Sequence, residues 1–226
     1  EAIYQVEDYT DLRVKMEQRA WSRVFIKPNG GSSASGVLAY RVQGKKQQLI
    51  SSLEMVKEGG NWYYYNSLKV RKYENSEDVE RIINFIAKES VLVEKWISKA
   101  SISDAKTGEG GIFDFRVLVI DGKAMHTVVR VSQSPMTNLH LGNQRGDLKA
   151  VIEYIGDVTW QQICNQAEQA LKAMPDMHYA GVDIMLSSNL KEIYVLEINA
   201  FGDLLPNTYI TELDSYEMEI ALLGRS

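Results

Sequence analysis

The stretch Tyr194-Val195-Leu196-Glu197-Ile198-Asn199 decides the reading of this chain. It reads as a strand, and a period of two places Glu197 and Asn199 on one face of a sheet. Just upstream, Gly181-Val182-Asp183-Ile184-Met185-Leu186 reads as a second strand carrying a carboxylate in an apolar run. The five residues 187–191 connect the two as a hairpin. A buried carboxylate is costly unless it is paired, hydrogen-bonded or bound to a metal. Asp183, Glu197 and the Asn199 amide oxygen on adjacent strands suit Mg²⁺, a hard ion that takes oxygen ligands and keeps part of its shell for water and phosphate. Mn²⁺ fits the same oxygens. The plain alternative is a polar strand edge.

A second feature is Val24-Phe25-Ile26-Lys27-Pro28-Asn29-Gly30-Gly31-Ser32-Ser33-Ala34-Ser35-Gly36-Val37. An apolar strand delivers Lys27, and a small-residue loop centred on Gly31, Ser32 and Ser33 follows. Gly and Ser let the backbone approach a ligand closely, and successive N–H groups cradle phosphate. Lys27 supplies a point charge. No Gly-Lys-Ser/Thr triplet follows, so this is not a Walker A loop. The next segment reads as a strand, so the loop reads as a flap between antiparallel strands, or as an ordinary hairpin turn.

The 226 residues suffice for one large domain or two smaller lobes. A hydrophobic content of 45% and a charged content of 24% are those of a globular protein. The net charge of −5 is dispersed, with no basic stripe, which argues against nucleic acid as a partner. The single cysteine, Cys164, forms no internal disulfide and fits a reducing, cytoplasmic setting. It reads as a small buried hydrophobe rather than a nucleophile. No apolar run approaches membrane-spanning length, and no signal peptide is visible.

Residues 8–21 read as an amphipathic helix with Leu12, Met16 and Ala20 spaced by four. Strands at 23–27, 36–42 and 47–52 follow. A turn at 58–61 leads into Trp62-Tyr63-Tyr64-Tyr65, an aromatic run that either stacks a base or simply reflects strand propensity. Ser76 caps a helix with the stripe Val79, Ile82, Ile83 and Ile86, which leads to a strand at 91–94. Residues 104–111 read as a polar loop. Strands at 112–120 and 123–132 flank the hairpin signal Asp121-Gly122. Residues 134–147 form a long connection of the kind that is functional or disordered. Thr159 and Gln162 mark a capping box for a helix that Pro175 ends, and 211–223 reads as a closing helix.

The order of these motifs resembles the ATP-grasp superfamily, closest to the ribosomal-protein glutamate ligases and glutathione synthetase. The residues that carry the resemblance are Phe25-Ile26-Lys27-Pro28 with its loop; Val91-Leu92-Val93-Glu94-Lys95-Trp96-Ile97; Phe113-Asp114-Phe115-Arg116-Val117-Leu118-Val119; Val129-Arg130; Thr137-Asn138-Leu139-His140-Leu141-Gly142; Gly181-Val182-Asp183-Ile184; and Glu197-Ile198-Asn199. One segment departs. The ligases usually follow the Asn with small residues and Pro-Gly, whereas Ala200-Phe201-Gly202-Asp203-Leu204-Leu205-Pro206 stands here. That loop lies near the acceptor side in the family.

The resemblance implies an α+β fold of two lobes, 1–95 and 96–226, built on antiparallel sheets that enclose a nucleotide. The family's N-terminal α/β domain has no counterpart in these residues. The chain is therefore expected to be a piece of a longer protein, or its upstream domain a separate polypeptide. Backbone groups of Lys95, Trp96 and Ile97 would read the adenine edge, with Glu94 and Lys99 at the exocyclic amine or ribose. Asn138 and His140 would sit in a loop over phosphates or substrate. One or two Mg²⁺ on Asp183, Glu197 and Asn199 would bridge the β- and γ-phosphates. Arg130 and Arg116 would stabilise the transferring phosphoryl group. A plain two-residue turn at Asp121-Gly122 would send these two arginines to opposite faces, and a β-bulge would restore a common one. Asp114 is an alternative partner for Arg116.

The implied activity is that of an ATP-dependent carboxylate–amine ligase. An acyl phosphate forms, and an amine then displaces phosphate, with small-molecule or peptide substrates. A homo-oligomer is compatible with this reading. The rival readings are an ATP-grasp kinase and a nucleotide-binding module without catalysis.

Overall fold

The computed structural model describes residues 1–31, 34–103, 110–174, 176–200, 205, 208 and 212–223, with the backbone alone at 222 and 223. The chain divides into two compact units. One comprises Glu1–Ile97 with Ser134–Gly142, the other Ser98–Gln133 with Asn143–Ser226.

The elements of the first unit run β1 (Ala2–Ile3), α1 (Tyr9–Gln18), β2 (Arg23–Pro28), β3 (Leu38–Gln43), β4 (Lys46–Glu58), β5 (Asn61–Tyr73), α2 (Ser76–Ile86) and β6 (Val91–Lys95). The strands pair antiparallel in the order β1-β6-β2-β3-β4-β5. The stripe Val79, Ile82, Ile83 and Ile86 is buried as its spacing predicts. It packs with Leu12 and Met16 of α1 on Val24, Ile26, Leu38, Tyr40 and Val93 of the sheet. Burial of each such side chain stabilises by roughly 1.5–3 kcal/mol.

Several element boundaries differ from the sequence reading. Helix α2 is capped by Asn75, whose Oδ1 accepts from the Glu77 and Asp78 N–H groups, so Ser76 is its first residue rather than its cap. Helix α1 stops at Gln18 because Ala20 adopts φ +54° and the Trp21 N–H returns to the Met16 carbonyl. The hairpin of β4 and β5 is longer than expected and turns at Gly59 and Gly60, which both have positive φ. Its aromatic run alternates between faces. Trp62 lies under the Arg81 guanidinium at 4.8 Å and Tyr64 stacks on Phe85 at 3.8 Å, while Tyr63 and Tyr65 point outward. Strand propensity and packing on α2 therefore account for the run.

The second unit contains β7 (Ser101–Ser103), β8 (Gly110–Ile120), β9 (Lys123–Ser132), β10 (Gln144–Gly146), α3 (Leu148–Ile155), α4 (Asp157–Lys172), β11 (Tyr179–Leu186), β12 (Ile193–Asn199) and α5 (Ser215–Leu223). The sheet order is β10-β9-β8-β11-β12, with β7 on the side of β8. Phe113, Phe115, Val117 and Val119 of β8 and Val182, Ile184 and Leu186 of β11 turn one face to Val151 of α3 and Ile163, Ala167 and Leu171 of α4. The alternate residues of those strands form the opposite face.

The capping-box expectation at Thr159 is overturned. Helix α4 begins two residues earlier, behind Gly156 at φ +84°, directly after α3. Helix α3 itself, capped by Asp147, stands where the sequence reading assigned no element. Gly110 and Gly111, expected in a loop, begin β8, and a Cβ at Gly111 would collide with the Ser132 carbonyl oxygen. Helix α5 starts at Ser215 because the Asp214 carboxylate accepts from the Tyr216 and Glu217 N–H groups at 2.9 Å each. The expected start at Thr211, the helix end at Pro175, the loop at 104–109 and most of the 200–206 segment lie outside the described residues.

Candidate functional site

Two β-bulges arrange the charged side chains of the second unit. In the β8–β9 pair, Val119 stands opposite Ala124 but Val117 stands opposite Thr127, so β9 carries one extra residue. The pairing then continues with Arg116 opposite Val128 and Asp114 opposite Arg130. This is the bulge that a common face for the two arginines requires, and both lie on the face away from α3 and α4. In the β11–β12 pair, Ile184 stands opposite Val195 and Asp183 opposite Glu197, which makes Leu196 the extra residue. Ile193 and Ile198 can thus both pack toward the helices although they are five apart. One row across the sheet reads Glu197, Asp183, Arg116, and Asn199 lies opposite Gly181.

The side chains in these rows form a chain of ion pairs. Lys99 Nζ donates to Asp114 Oδ2 at 2.6 Å, and Arg130 Nε to Asp114 Oδ1 at 2.7 Å. Arg130 Nη1 donates to Asp183 Oδ2 at 3.1 Å. Arg116 grips Asp183 in a fork, Nε to Oδ1 and Nη2 to Oδ2, and its Nη2 lies 3.9 Å from Glu197 Oε1. Asn199 Nδ2 donates to Glu197 Oε1 at 3.2 Å and to the Gly181 carbonyl at 3.4 Å. Asp114, Asp183, Arg116 and Arg130 are buried, whereas the Glu197 side chain is half exposed.

Burial fixes the electrostatics of the carboxylates. Burial alone would raise Asp114, but Lys99 and Arg130 outweigh it and hold the carboxyl at about 2. Burial pushes Asp183 up to about 6, more than Arg130 and Arg116 pull it down. The Arg130 guanidinium, disfavoured by burial, is held in its charged form by Asp114 and Asp183. Arg116 pairs with Asp183 rather than with Asp114, which settles the partner that the sequence left open.

Lys99 was expected at the ribose. Its amine donates to the buried Asp114, which also receives Arg130 while Arg130 is shared with Asp183. Arg145 of β10 stands opposite Arg130 and escaped the sequence reading, as did the part played by Asp114. Arg145 lies in a three-residue strand and Asp114 in an apolar run, and for both only the register of the sheet shows the partner. Cys164 is half-buried on α4, and burial with the nearby Glu168 pushes its thiol to about 11, so it stays protonated and unreactive. A cavity of about 520 Å³ beside β9, α3 and α4 contains none of the expected site residues.

In the first unit, Lys27 of β2 and Glu94 of β6 form an ion pair on the sheet face opposite the core. Trp96 stands on the same side, its ring 5.3 Å from that of Phe25 and 5.8 Å from the Arg23 guanidinium. The Trp96 backbone N–H donates to the Arg23 carbonyl at 3.1 Å and so extends the β2–β6 ladder. Lys95, opposite Val24, is exposed, and Ile97 ends the unit's first segment. The Gly31 N–H donates to the Pro28 carbonyl at 3.1 Å, which closes the turn after β2 from within. Ser32 and Ser33 lie outside the described residues. Asn138 precedes a 3₁₀ turn at Leu139–Leu141 that contains the exposed His140, and this segment belongs to the first unit.

Whether a metal fits is a matter of the donors. Among the described residues, no three His, Cys, Asp or Glu side chains cluster as a metal site. The trio offers two carboxylates and an amide. Glu197 is half exposed, and Asn199 uses its Nδ2 as donor, which leaves its oxygen as an acceptor beside Glu197. These oxygens fit a hard ion that completes its shell with water and phosphate. Asp183 fits only by exchanging a guanidinium contact.

Two antiparallel sheets, the second with helices on one face and carboxylates and guanidinium groups on the other, define an ATP-grasp fold. The chain belongs to the YheC/D-like ATP-grasp family, whose description, YheC/D like ATP-grasp, matches residues 5–206. Among solved structures, the D-cycloserine synthetase DcsG is similar over 100% of this chain and 63% of its own, with a TM-score of 0.53 and 14% identity. The ATP-grasp ligase PsnB, complexed with minimal precursor, Mg and ADP, is similar over 100% of this chain and 52% of its own, with a TM-score of 0.51 and 15% identity. At such identities the likeness is one of fold. The chain spans about half the length of PsnB. No curated protein sequence matches it. Among the described residues, no helix is long and apolar enough to cross a membrane.

Proposed function

We propose that this chain carries the nucleotide- and metal-binding part of an ATP-dependent carboxylate–amine ligase. The observation that carries the reading is the meeting of Asp183, Glu197 and Asn199 with Arg116 and Arg130 on one face of one sheet. Asp183, Glu197 and Asn199 would hold Mg²⁺, which when bound neutralises phosphate charge that would repel a carboxylate nucleophile. Arg116 and Arg130 would hold the transferring phosphoryl oxygens, the planar guanidinium matching their geometry. Lys27 would add a cation to the phosphates, exchanging its pairing with Glu94.

In the proposed reaction, a carboxylate oxygen of the substrate attacks the γ-phosphorus and the bond to the β-phosphate oxygen breaks, releasing ADP. The amine nitrogen then attacks the acyl carbon, the carbon–oxygen bond to phosphate breaks, and the amine gives up a proton. No enzyme nucleophile is required. The residues contribute positioning and fixed charge. In support, PsnB is known with minimal precursor, Mg and ADP and with precursor peptide PsnA2, and DcsG is a D-cycloserine synthetase. The proposed carboxylate donor is a peptide or a small molecule.

The test is incubation of the chain with ATP, Mg²⁺ and a panel of amino acids and peptides, following ADP, phosphate and products by mass spectrometry. An amide product with ADP and free phosphate supports the ligase. A stable phospho-product with no free phosphate would replace it with a kinase, and binding without turnover would leave a nucleotide-binding module.

A further inference from the structure

Resting on that reading of Arg130, we propose that Asp114 is its positioning residue and that Lys99 holds Asp114 in place for the task. Both Asp114 oxygens are committed, Oδ1 to Arg130 Nε and Oδ2 to Lys99 Nζ, and the side chain is almost wholly buried. It is therefore a counter-ion and not a ligand for metal or nucleotide. The contact at Nε fixes the plane of the guanidinium and aims Nη1 at Asp183. Cross-strand pairing of Asp114 with Arg130 adds a backbone restraint to the same alignment.

The charge arithmetic gives this arrangement its purpose. Arg130 alone between two carboxylates would be drawn toward Asp114, the more deeply buried of the two. Lys99 supplies Asp114 with a second cation, so the guanidinium can keep one edge on its anchor and present another to Asp183. Were Asp183 released from Arg130, the anchored guanidinium would keep its place, and its Nη1 edge would be open to a phosphate oxygen. Three cations, Lys99, Arg116 and Arg130, thus alternate with three anions, Asp114, Asp183 and Glu197, along one connected path.

The experiment is calorimetric titration of the chain with Mg-ADP and, separately, with adenosine. It compares wild type, Asp114→Asn, Asp114→Glu, Arg130→Gln and the double variants. Asp114→Glu keeps the charge but moves it by one methylene, and so guards against a failure of Asp114→Asn to fold. The proposal expects both Asp114 variants to lose about tenfold or more in Mg-ADP affinity, with adenosine affinity unchanged. It also expects no further loss when they are combined with Arg130→Gln, since a residue acting through Arg130 is silent once Arg130 is gone. Wild-type Mg-ADP affinity in folded Asp114→Glu would overturn it, as would losses that simply add in the Arg130→Gln background. A wild-type chain that binds adenosine but not Mg-ADP would strike the phosphate reading itself, a result distinct from failure of the Asp114 variants.

Discussion

Asp114 and Arg130 face each other across β8 and β9, with Arg130 Nε donating to Asp114 Oδ1 at 2.7 Å in a buried pair. The pair makes acid stability a readable property of the fold. The Asp114 carboxyl is held at about 2 against an ordinary 3.8. A depressed acid constant stabilises the folded state above the unfolded value, and the contribution is lost as pH falls through the folded value. The difference corresponds to about 2 kcal/mol. Urea unfolding measured from pH 5 to pH 2 should therefore lose about that much between pH 4 and 2. Asp114→Asn should flatten this segment and lower stability most at pH 5, where Lys99 and Arg130 are left short of an anion, with the gap to wild type narrowing toward pH 2. An unchanged slope in the variant would refute the assignment.

Glu197 provides a separation of chemistry from stability. Its side chain is half exposed and its contact with Arg116 is long at 3.9 Å, so the pair is worth under about 1 kcal/mol. Glu197→Gln should unfold within that margin of wild type while Mg²⁺-dependent phosphate release falls on the order of a hundredfold. A folded Glu197→Gln chain with full turnover would remove the metal assignment.

Lys27 is paired with Glu94 at a partly exposed position. Lys27→Ala should lower Mg-ATP affinity by about tenfold, the size of one charge-assisted contact. Thermal unfolding should barely move, since partly exposed ion pairs contribute little. Equal calorimetric affinities for the two chains would exclude Lys27 from the phosphates.

Gly111 and Gly30 form a contrast within one residue type. A Cβ at Gly111 meets the Ser132 carbonyl, whereas at Gly30 nothing lies within 4 Å. Gly111→Ala should destabilise by roughly 1–3 kcal/mol, and Gly30→Ala should leave stability unchanged within about 0.5 kcal/mol. Denaturant midpoints of the two variants decide the matter, and similar losses in both would contradict the close approach of β8 to β9.

Local pattern carried a good part of this fold. The four-residue stripe of α2 needed only its spacing to be placed in the core, because a helix fixes which side chains share a face. Strand alternation likewise placed Glu197 and Asn199 together, and the apolar run around Asp183 marked it as a carboxylate in need of a partner. The aromatic run at 62–65 was legible as strand but silent on which rings pack, since that depends on Arg81 and Phe85 arriving from another element. Helix α3 was missed because it spans only eight residues after a long polar connection.

Register and partner choice came from the sheets alone. Period two says which residues alternate but not where a strand gains one, and the extra residues in β9 and β12 decide which charges meet. Without the first, Arg116 and Arg130 would face opposite ways. Through that shift and burial, Arg116 took Asp183, and Asp114 took both Arg130 and Lys99. A buried ion finds its counter-ion among neighbours in space, and those neighbours come from residues 15 to 67 positions away along the chain.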